Sequence, residues 1–436
     1  MKSRALLISA AASGCGKTTV TLGLLRALRN RGLRVGAAKV GPDFIDSAFH
    51  RVAAGKRSAT LDLWGMREQT LRAELAAVAA ESDIVLVEGV MGLFDGARDG
   101  SGSSAQLAEL LDLPVVLVLD VAAQATTAAA VAFGLARYHP NLRVVGAILN
   151  RVGSPGHAAT IVPALDAIGL RCLGALAREG ALALPERHLG LVQAREQREL
   201  ESFLEAAAAA CESQLDIDAL LALASPLSDL AAPSEPPLAP LGARIAIADD
   251  LAFAFSYAHI TEGWRRAGAR LSFFSPLADE GPEREADAVY LPGGYPELHA
   301  AKLAAATNFR AGMEAARARG AAIYGECGGY MVLGESLADR DAREHAMLGF
   351  LPLRFSFAQP RMHLGYREVR PLADTPFARA GAPLRGHEFH FASVEREPEA
   401  TALFETSEEG RGSLRLGMHE GNVLGSFLHL LDRLEA

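Results

Sequence analysis

Cysteine is scarce: four in 436 residues, Cys15, Cys172, Cys211 and Cys327, widely spaced and with no CxxC pair. That excludes a disulfide framework and a cysteine-based zinc site, and leaves any working cysteine as the thiol of a reducing compartment. Long apolar runs are missing too, so no segment reads as a membrane span. Met1 passes directly into a short apolar strand and a glycine-rich turn, without the apolar core and cleavage site of a secretory signal. The expected setting is the cytoplasm, with no membrane partner. Basic excess is also absent: 43 Lys and Arg against 52 Asp and Glu give a formal charge of -9. That disfavours a nucleic-acid partner while leaving room for a local basic cleft. No repeat or heptad array occurs.

What remains is globular material, 50% hydrophobic and 22% charged, in a chain long enough for two domains. In the first half, apolar runs at 5–9, 33–39, 84–87, 115–120 and 144–150 read as strands. Helical patterns lie between them at 18–31, 70–80, 104–111 and 123–138. Continuous Val/Ile/Leu strands separated by helices predict an α/β fold with a parallel sheet covered on both faces. Residues 213–242 turn rich in Pro, Ser, Ala and Leu and read as a linker between domains at 1–212 and 243–436. A second α/β pattern follows, with strands at 243–248, 271–274, 288–291 and 321–325, and a closing strand at 423–428. The alanine run 206–210 reads as helix without a role of its own.

The first strand leads into Ala10-Ala11-Ala12-Ser13-Gly14-Cys15-Gly16-Lys17-Thr18-Thr19 and then a helix. Small residues let consecutive backbone N–H groups face phosphate oxygens, a lysine reaches the outer phosphates, a hydroxyl serves Mg²⁺, and a helix N-terminus lies behind. Gly14, Gly16, Lys17, Thr18 and Thr19 supply this set, which predicts ATP; Ala11 stands where the strict pattern has its first glycine. Asp46 and Glu88 follow the second and third apolar strands, where ligands of an open parallel sheet collect. With Thr18 they are candidate Mg²⁺ ligands, although each alone reads equally as a helix cap or loop acid. Asn150 ends the last strand of this half and reads either as a reader of the adenine edge or as a turn former.

In the second half, strand 321–324 runs into Gly325-Glu326-Cys327-Gly328-Gly329-Tyr330. This turn between strand and helix is a nucleophile elbow, and the helix N-terminus is expected to favour the thiolate. Gly293-Gly294 and the Gly328 N–H are candidate oxyanion donors, and His429, just past the closing strand, is the candidate base.

With these residues assembled, the chain resembles the cobyrinic acid / hydrogenobyrinic acid a,c-diamide synthases, which join a dethiobiotin-synthetase-like ATP domain to a class I glutamine amidotransferase-like domain. The likeness runs nearly end to end. It is most specific at 39–46, in Glu-Gly-Val-Met-Gly-Leu-Phe-Asp-Gly at 88–96, in Leu-Pro-Glu-Arg-His-Leu-Gly-Leu-Val at 184–192, and at 364–369 and 386–391. The resemblance implies a ligase of cobalamin biosynthesis. ATP would activate a corrin carboxylate as an acyl phosphate, and ammonia released from glutamine at Cys327 would displace phosphate, at the c and then the a acetate. It also implies that Lys39 lies near the transferring phosphate. The partners implied are hydrogenobyrinic or cobyrinic acid, glutamine and ATP, with a homodimer left open.

Amidotransferases of this class usually carry a glutamate two residues beyond the histidine, where this chain has Leu431, so a Cys–His dyad is expected, with Glu420 or Glu388 as alternative distant acids. Arg178, Arg187, His188, Arg361 and Arg367 lie in or beside the family-like stretches and are candidate carboxylate contacts, or else ordinary surface residues. Three rivals stand beside this reading: amidation of another tetrapyrrole such as nickel-sirohydrochlorin, amidation of other corrin side chains by the same folds, whose chains lack the 184–192 type of stretch, and a ParA-like ATPase switch.

Overall fold

The computed structural model describes residues 3–178, 193–197, 199–228, 230, 235–395, 401–406 and 414–434, with the backbone alone at 186–187, 190–191, 396, 407–408 and 412–413. Contacts divide the chain into two units, Met1–Trp64 with Glu68–Pro233, and Gly65–Arg67 with Ser234–Ala436.

The first unit runs β1 (Arg4–Ala10), α1 (Lys17–Asn30), β2 (Val35–Val40), α2 (Phe44–Ala54), β3 (Ser58–Leu61), α3 (Glu68–Ala79) and β4 (Ile84–Glu88). It continues with α4 (Ser104–Leu110), β5 (Val115–Asp120), α5 (Thr127–Arg137), β6 (Val144–Val152), α6 (Pro155–Ala167) and β7 (Cys172–Ala177). The short strands β8 (Glu186–Arg187) and β9 (Gly190–Leu191) precede α7 (Leu200–Gln214), α8 (Ile217–Leu223) and β10 (Ser225–Pro226). The main sheet has the order β3-β2-β4-β1-β5-β6-β7, all parallel, with β10 antiparallel to β1. Every residue of β2 and β4 is buried, as strands covered on both faces require. The carboxyl ends of β1, β2 and β4 therefore open together on one edge.

Two readings of this half change. β6 continues two residues past Asn150, and β7 adds a further strand beyond it. The stretch 213–242 is not extended from its start: α7 reaches Gln214, and α8 follows, capped by the Asp216 side chain on the Ala219 N–H. Ile217 and Leu220 are buried on α8, an apolar face that the Pro- and Ser-rich composition around it concealed.

The second unit begins β11 (Arg244–Ala248), α9 (Ala258–Arg266), β12 (Arg270–Phe274), β13 (Ala288–Leu291), α10 (Ala300–Ala305), α11 (Thr307–Ala318), β14 (Ala322–Glu326) and α12 (Gly328–Leu333). Then come β15 (Ser336–Ala338), β16 (Glu344–Ala346), β17 (Arg354–Ser356), β18 (His363–Pro371), β19 (Leu384–His390), β20 (Ser393–Arg396), β21 (Ala402–Glu408), β22 (Gly412–Glu420), β23 (Val423–Ser426) and β24 (Leu428–Arg433). Ten strands form one sheet, ordered β12-β11-β13-β14-β23-β22-β21-β18-β19-β24. Its first five are parallel and the remaining pairings antiparallel. The closing run 423–428 is in fact two strands. β23 stays beside β14, whereas β24 leaves it to pair with β19, so His429 lies inside a strand. The Ser426 hydroxyl accepts the Leu428 N–H at 3.2 Å where the chain turns. Apolar residues on both sides of the turn made it read as one run.

Candidate active sites

In the first domain the loop between β1 and α1 turns at Gly14 and Gly16, whose φ values are +76° and +88°. Ala11 is not among the positive-φ residues, so alanine serves there. Lys17 Nζ donates to the Ala12 and Met91 carbonyls at 3.0 and 2.5 Å, and half-buried Thr19 follows it on α1. Asn150 Nδ2 donates to the Cys15 carbonyl at 2.9 Å, so this amide braces the loop.

Sheet register sets Lys39 of β2 beside Glu88 of β4. Lys39 Nζ lies 2.6 Å from Asp46 Oδ2 and 2.8 Å from Glu88 Oε1. Thr18 Oγ1 donates to Glu88 Oε1 at 2.6 Å and lies 3.4 Å from Asp46 Oδ2. Asp46 comes from α2, whose N-cap Asp43 accepts the Ile45 and Asp46 N–H groups at 2.9 Å each. One turn after Asp46, buried His50 places Nε2 2.6 Å from Glu88 Oε2 and Nδ1 3.3 Å from Ser58 Oγ. Neither Asp43 nor His50 figured in the sequence reading. The spacing Asp43, Asp46, His50 puts all three on one side of a helix and was the available signal.

Burial alone would lower the Lys39 ammonium, but Asp46 and Glu88 outweigh it and hold the group well above its ordinary value. Burial would likewise raise Glu88, yet Lys39 and His50 keep it well below the usual carboxylate range. Asp43 is pushed up to about 6 by burial and by Asp46. Lys17 is lowered by burial and by Lys39. Oxygens of Asp46 and Glu88 thus flank a cation, the Lys39 ammonium, and the Thr18 hydroxyl lies within 3.4 Å of both of them. This hard-oxygen set fits Mg²⁺.

In the second domain Cys327 joins β14 to α12 with φ 48° and ψ −105°, a strained conformation for a residue with a side chain. A Cβ on Gly293 would collide with His429 Cε1 and lie 3.2 Å from Cys327 Cβ, so only glycine lets the backbone pass between them. A Cβ on Gly328 would lie 2.9 Å from the Gly294 N. Cys327, Gly328, Gly293, Gly294 and His429 are therefore brought together. The expected thiolate is not: burial, then Glu297, pushes the Cys327 thiol up to about 12. The Gly328 backbone N–H acts in the opposite sense but does not offset desolvation. Burial, then His387 and His390, pushes His429 down to about 3. The resting pair is neutral thiol and neutral imidazole.

Leu431 is fully buried and its carbonyl accepts a hydrogen bond from His259 Nε2 at 2.8 Å. Of the distant acids, Glu420 faces Arg317 at 3.6 Å, and Glu388 faces Arg367 and His390 at 3.2 and 3.1 Å. The carboxylate set beside His429 Nδ1, at 3.8 Å, belongs instead to Glu326, the residue before the cysteine. Sequence reading missed it because a strand residue in a Gly-rich turn carries no pattern.

Among the candidate substrate contacts, Arg361 lines a cavity of about 460 Å³ in the second domain together with His363, Glu388, His390 and Phe427. Arg367 pairs with Glu388 beside it. Arg178 is exposed just past β7 in the first domain. The Arg187 side chain and His188 lie outside the described residues. No helix among the described residues is long and apolar enough to cross a membrane.

Two family models match the chain: the CobQ/CobB/MinD/ParA nucleotide binding domain over residues 6–192, and the CobB/CobQ-like glutamine amidotransferase domain over 244–433. A protein of Brucella anthropi named hydrogenobyrinate a,c-diamide synthase is 52% identical over 433 residues, covering 98% of each chain. This chain belongs to that family. Relatives of the same name from Sinorhizobium and from Mesorhizobium japonicum are 52% and 49% identical; the first alignment covers 98% of each chain and the second all of both. The family is one of glutamine-dependent amidating ligases, and its two domains account for the two clusters described above.

Proposed function

We propose that the protein amidates the c and then the a acetate of hydrogenobyrinic or cobyrinic acid in cobalamin biosynthesis, with ATP and glutamine as co-substrates. The observation that carries this reading is the pair of complementary centres on one chain: a phosphate loop backed by Thr18, Lys39, Asp46 and Glu88, and an elbow cysteine and a histidine that both border Gly293. Backbone N–H groups of the loop, with Lys17, would hold the triphosphate, and Asn150 would keep the loop in shape beneath it. Thr18, Asp46 and Glu88 would hold Mg²⁺, which neutralises phosphate charge when bound. A substrate carboxylate oxygen attacks the γ-phosphorus and ADP leaves, giving an acyl phosphate, with Lys39 beside the transferring group. At the other centre, the Cys327 sulfur attacks the glutamine amide carbon while His429 takes the thiol proton and returns it to the departing ammonia. The Gly293, Gly294 and Gly328 backbone would face the developing oxyanion. Water hydrolyses the thioester to glutamate. Ammonia then attacks the acyl carbon and phosphate leaves. Arg361 and Arg367, with Arg178, Arg187 and His188, remain proposed contacts of the polyacidic substrate.

The test separates the two centres. Cys327→Ala should lose glutamine-dependent synthesis by at least about a thousandfold while retaining synthesis from high ammonia. A variant that is folded yet inactive with both nitrogen donors would refute the division of labour.

A further inference from the structure

Glu326 is 3% exposed at the end of β14. Its Oε2 accepts the Tyr290 hydroxyl at 2.7 Å; its Oε1 accepts the Tyr324 hydroxyl at 3.0 Å and the Leu430 N–H at 3.2 Å. A carboxylate offers about four acceptor directions, two on each oxygen. These donors fill both on Oε1 and one on Oε2. The direction that remains belongs to Oε2, which stands 3.8 Å from His429 Nδ1. Leu430 is the neighbour of His429 on β24, so the acid is tied to the same backbone as the imidazole it faces. Tyr290 and Tyr324 lie on the adjacent parallel strands β13 and β14 and directly oppose one another in register. Burial pushes Glu326 up to about 7, with its three donors acting in the opposite sense. A positive charge appearing on His429 would favour its carboxylate form.

We propose that Glu326, held by Tyr290, Tyr324 and the Leu430 amide, is the positioning acid for His429, taking over the task that the residue at 431 would perform were it a glutamate. This rests on the glutaminase reading of Cys327 and deepens it. When the thiol proton passes to His429 Nε2, the imidazolium carries Nδ1–H toward Oε2. A shift of about 1 Å closes that gap to hydrogen-bond length. Because the acid comes from the elbow itself, the sulfur and the group that orients its base are adjacent residues of one strand end. A thiol depends less on such help than a hydroxyl, so the effect should be smaller than in a serine triad.

The experiment measures glutamine hydrolysis by the full chain, with ammonia-dependent synthesis as the control. Glu326→Gln should lower kcat for glutamine hydrolysis about 100-fold with KM for glutamine unchanged and ammonia-dependent synthesis intact. Glu326→Asp keeps the charge but withdraws it by one methylene, and should fall between the two. If Glu326→Gln disturbs the near-UV circular dichroism of the domain, the aspartate variant carries the test alone. A kcat within threefold of the parent for folded Glu326→Gln would overturn the proposal, as would an Asp variant no slower than the parent or an effect confined to KM. Failure of the underlying reading shows differently: Cys327→Ala would itself keep hydrolysing glutamine.

Discussion

Glu88 is a fully buried carboxylate that Lys39 and His50 hold well below the usual carboxylate range, and Thr18 donates a hydrogen bond to it. His50 is the most informative of these, since it binds the oxygen turned away from the Lys39 side and so fixes how the carboxylate presents the other one. Groups that orient a metal ligand in this way typically control affinity by 10–100-fold. His50→Ala should accordingly raise the Mg²⁺ concentration for half-maximal synthesis by about that factor, read by titrating Mg²⁺ at saturating ATP; an unchanged midpoint would remove His50 from the site. Asp46 and Glu88 were legible in the sequence because acids at strand ends beside a phosphate loop have few other reasons to gather. His50 and Glu326 were not, since a helical histidine and a strand glutamate each look like ordinary packing until tertiary contacts place them. The thiolate expected at Cys327 failed for a related reason: burial depth is a property of the whole domain, and a motif does not display it.

At the scale of elements, the first sheet was readable because strands buried on both faces are apolar along most of their length, as 84–87 and all but the last residue of 115–120 are. The antiparallel half of the second sheet was not. β18 carries His-Leu-Gly-Tyr-Arg-Glu-Val-Arg-Pro, with only Val369 and Pro371 buried, so its pattern resembles a loop. The alanine run of α7 now has a packing role: Ala207, Ala208 and Ala210 are buried, and Ala208 and Ala210 share a core with Leu22, Leu24 and Leu25 of α1. A Cβ on Gly23 of α1 would lie 2.8 Å from the Ala207 carbonyl, which shows how closely the two backbones approach. Ala208→Leu should therefore overpack this seam and destabilise the first domain by about 1–3 kcal/mol. Thermal unfolding would record the loss, while glutamine hydrolysis below the transition should persist. A melting temperature equal to the parent's would show that the seam is loose.

At the scale of the whole molecule, two histidines of the second domain, whose charging burial disfavours, contribute to the response to acid. His387 and His429 are pushed down to about 4 and about 3, against 6.5 for the free side chain. Their contribution is complete above pH 6.5 and is lost as pH falls toward those values, because the unfolded chain then binds protons the folded chain refuses. Each histidine gives at most about 1.4 kcal/mol per pH unit in that window. Glu326, pushed up to about 7 from 4.5, works in the opposite sense between those two values and offsets roughly one histidine. The second domain should lose melting temperature steadily from pH 6.5 to 5, and His387→Asn should flatten that slope. Identical slopes in parent and variant would contradict this account.

The Lys39 ammonium has a consequence for the nucleotide-binding domain as it cycles. Sitting between Asp46 and Glu88, it serves as a built-in counter-ion, so two buried acids never face one another unscreened. With Lys39 in place, neither acid is left without a cation beside it. In the proposed reaction the site can then be emptied and refilled without leaving either acid unpaired.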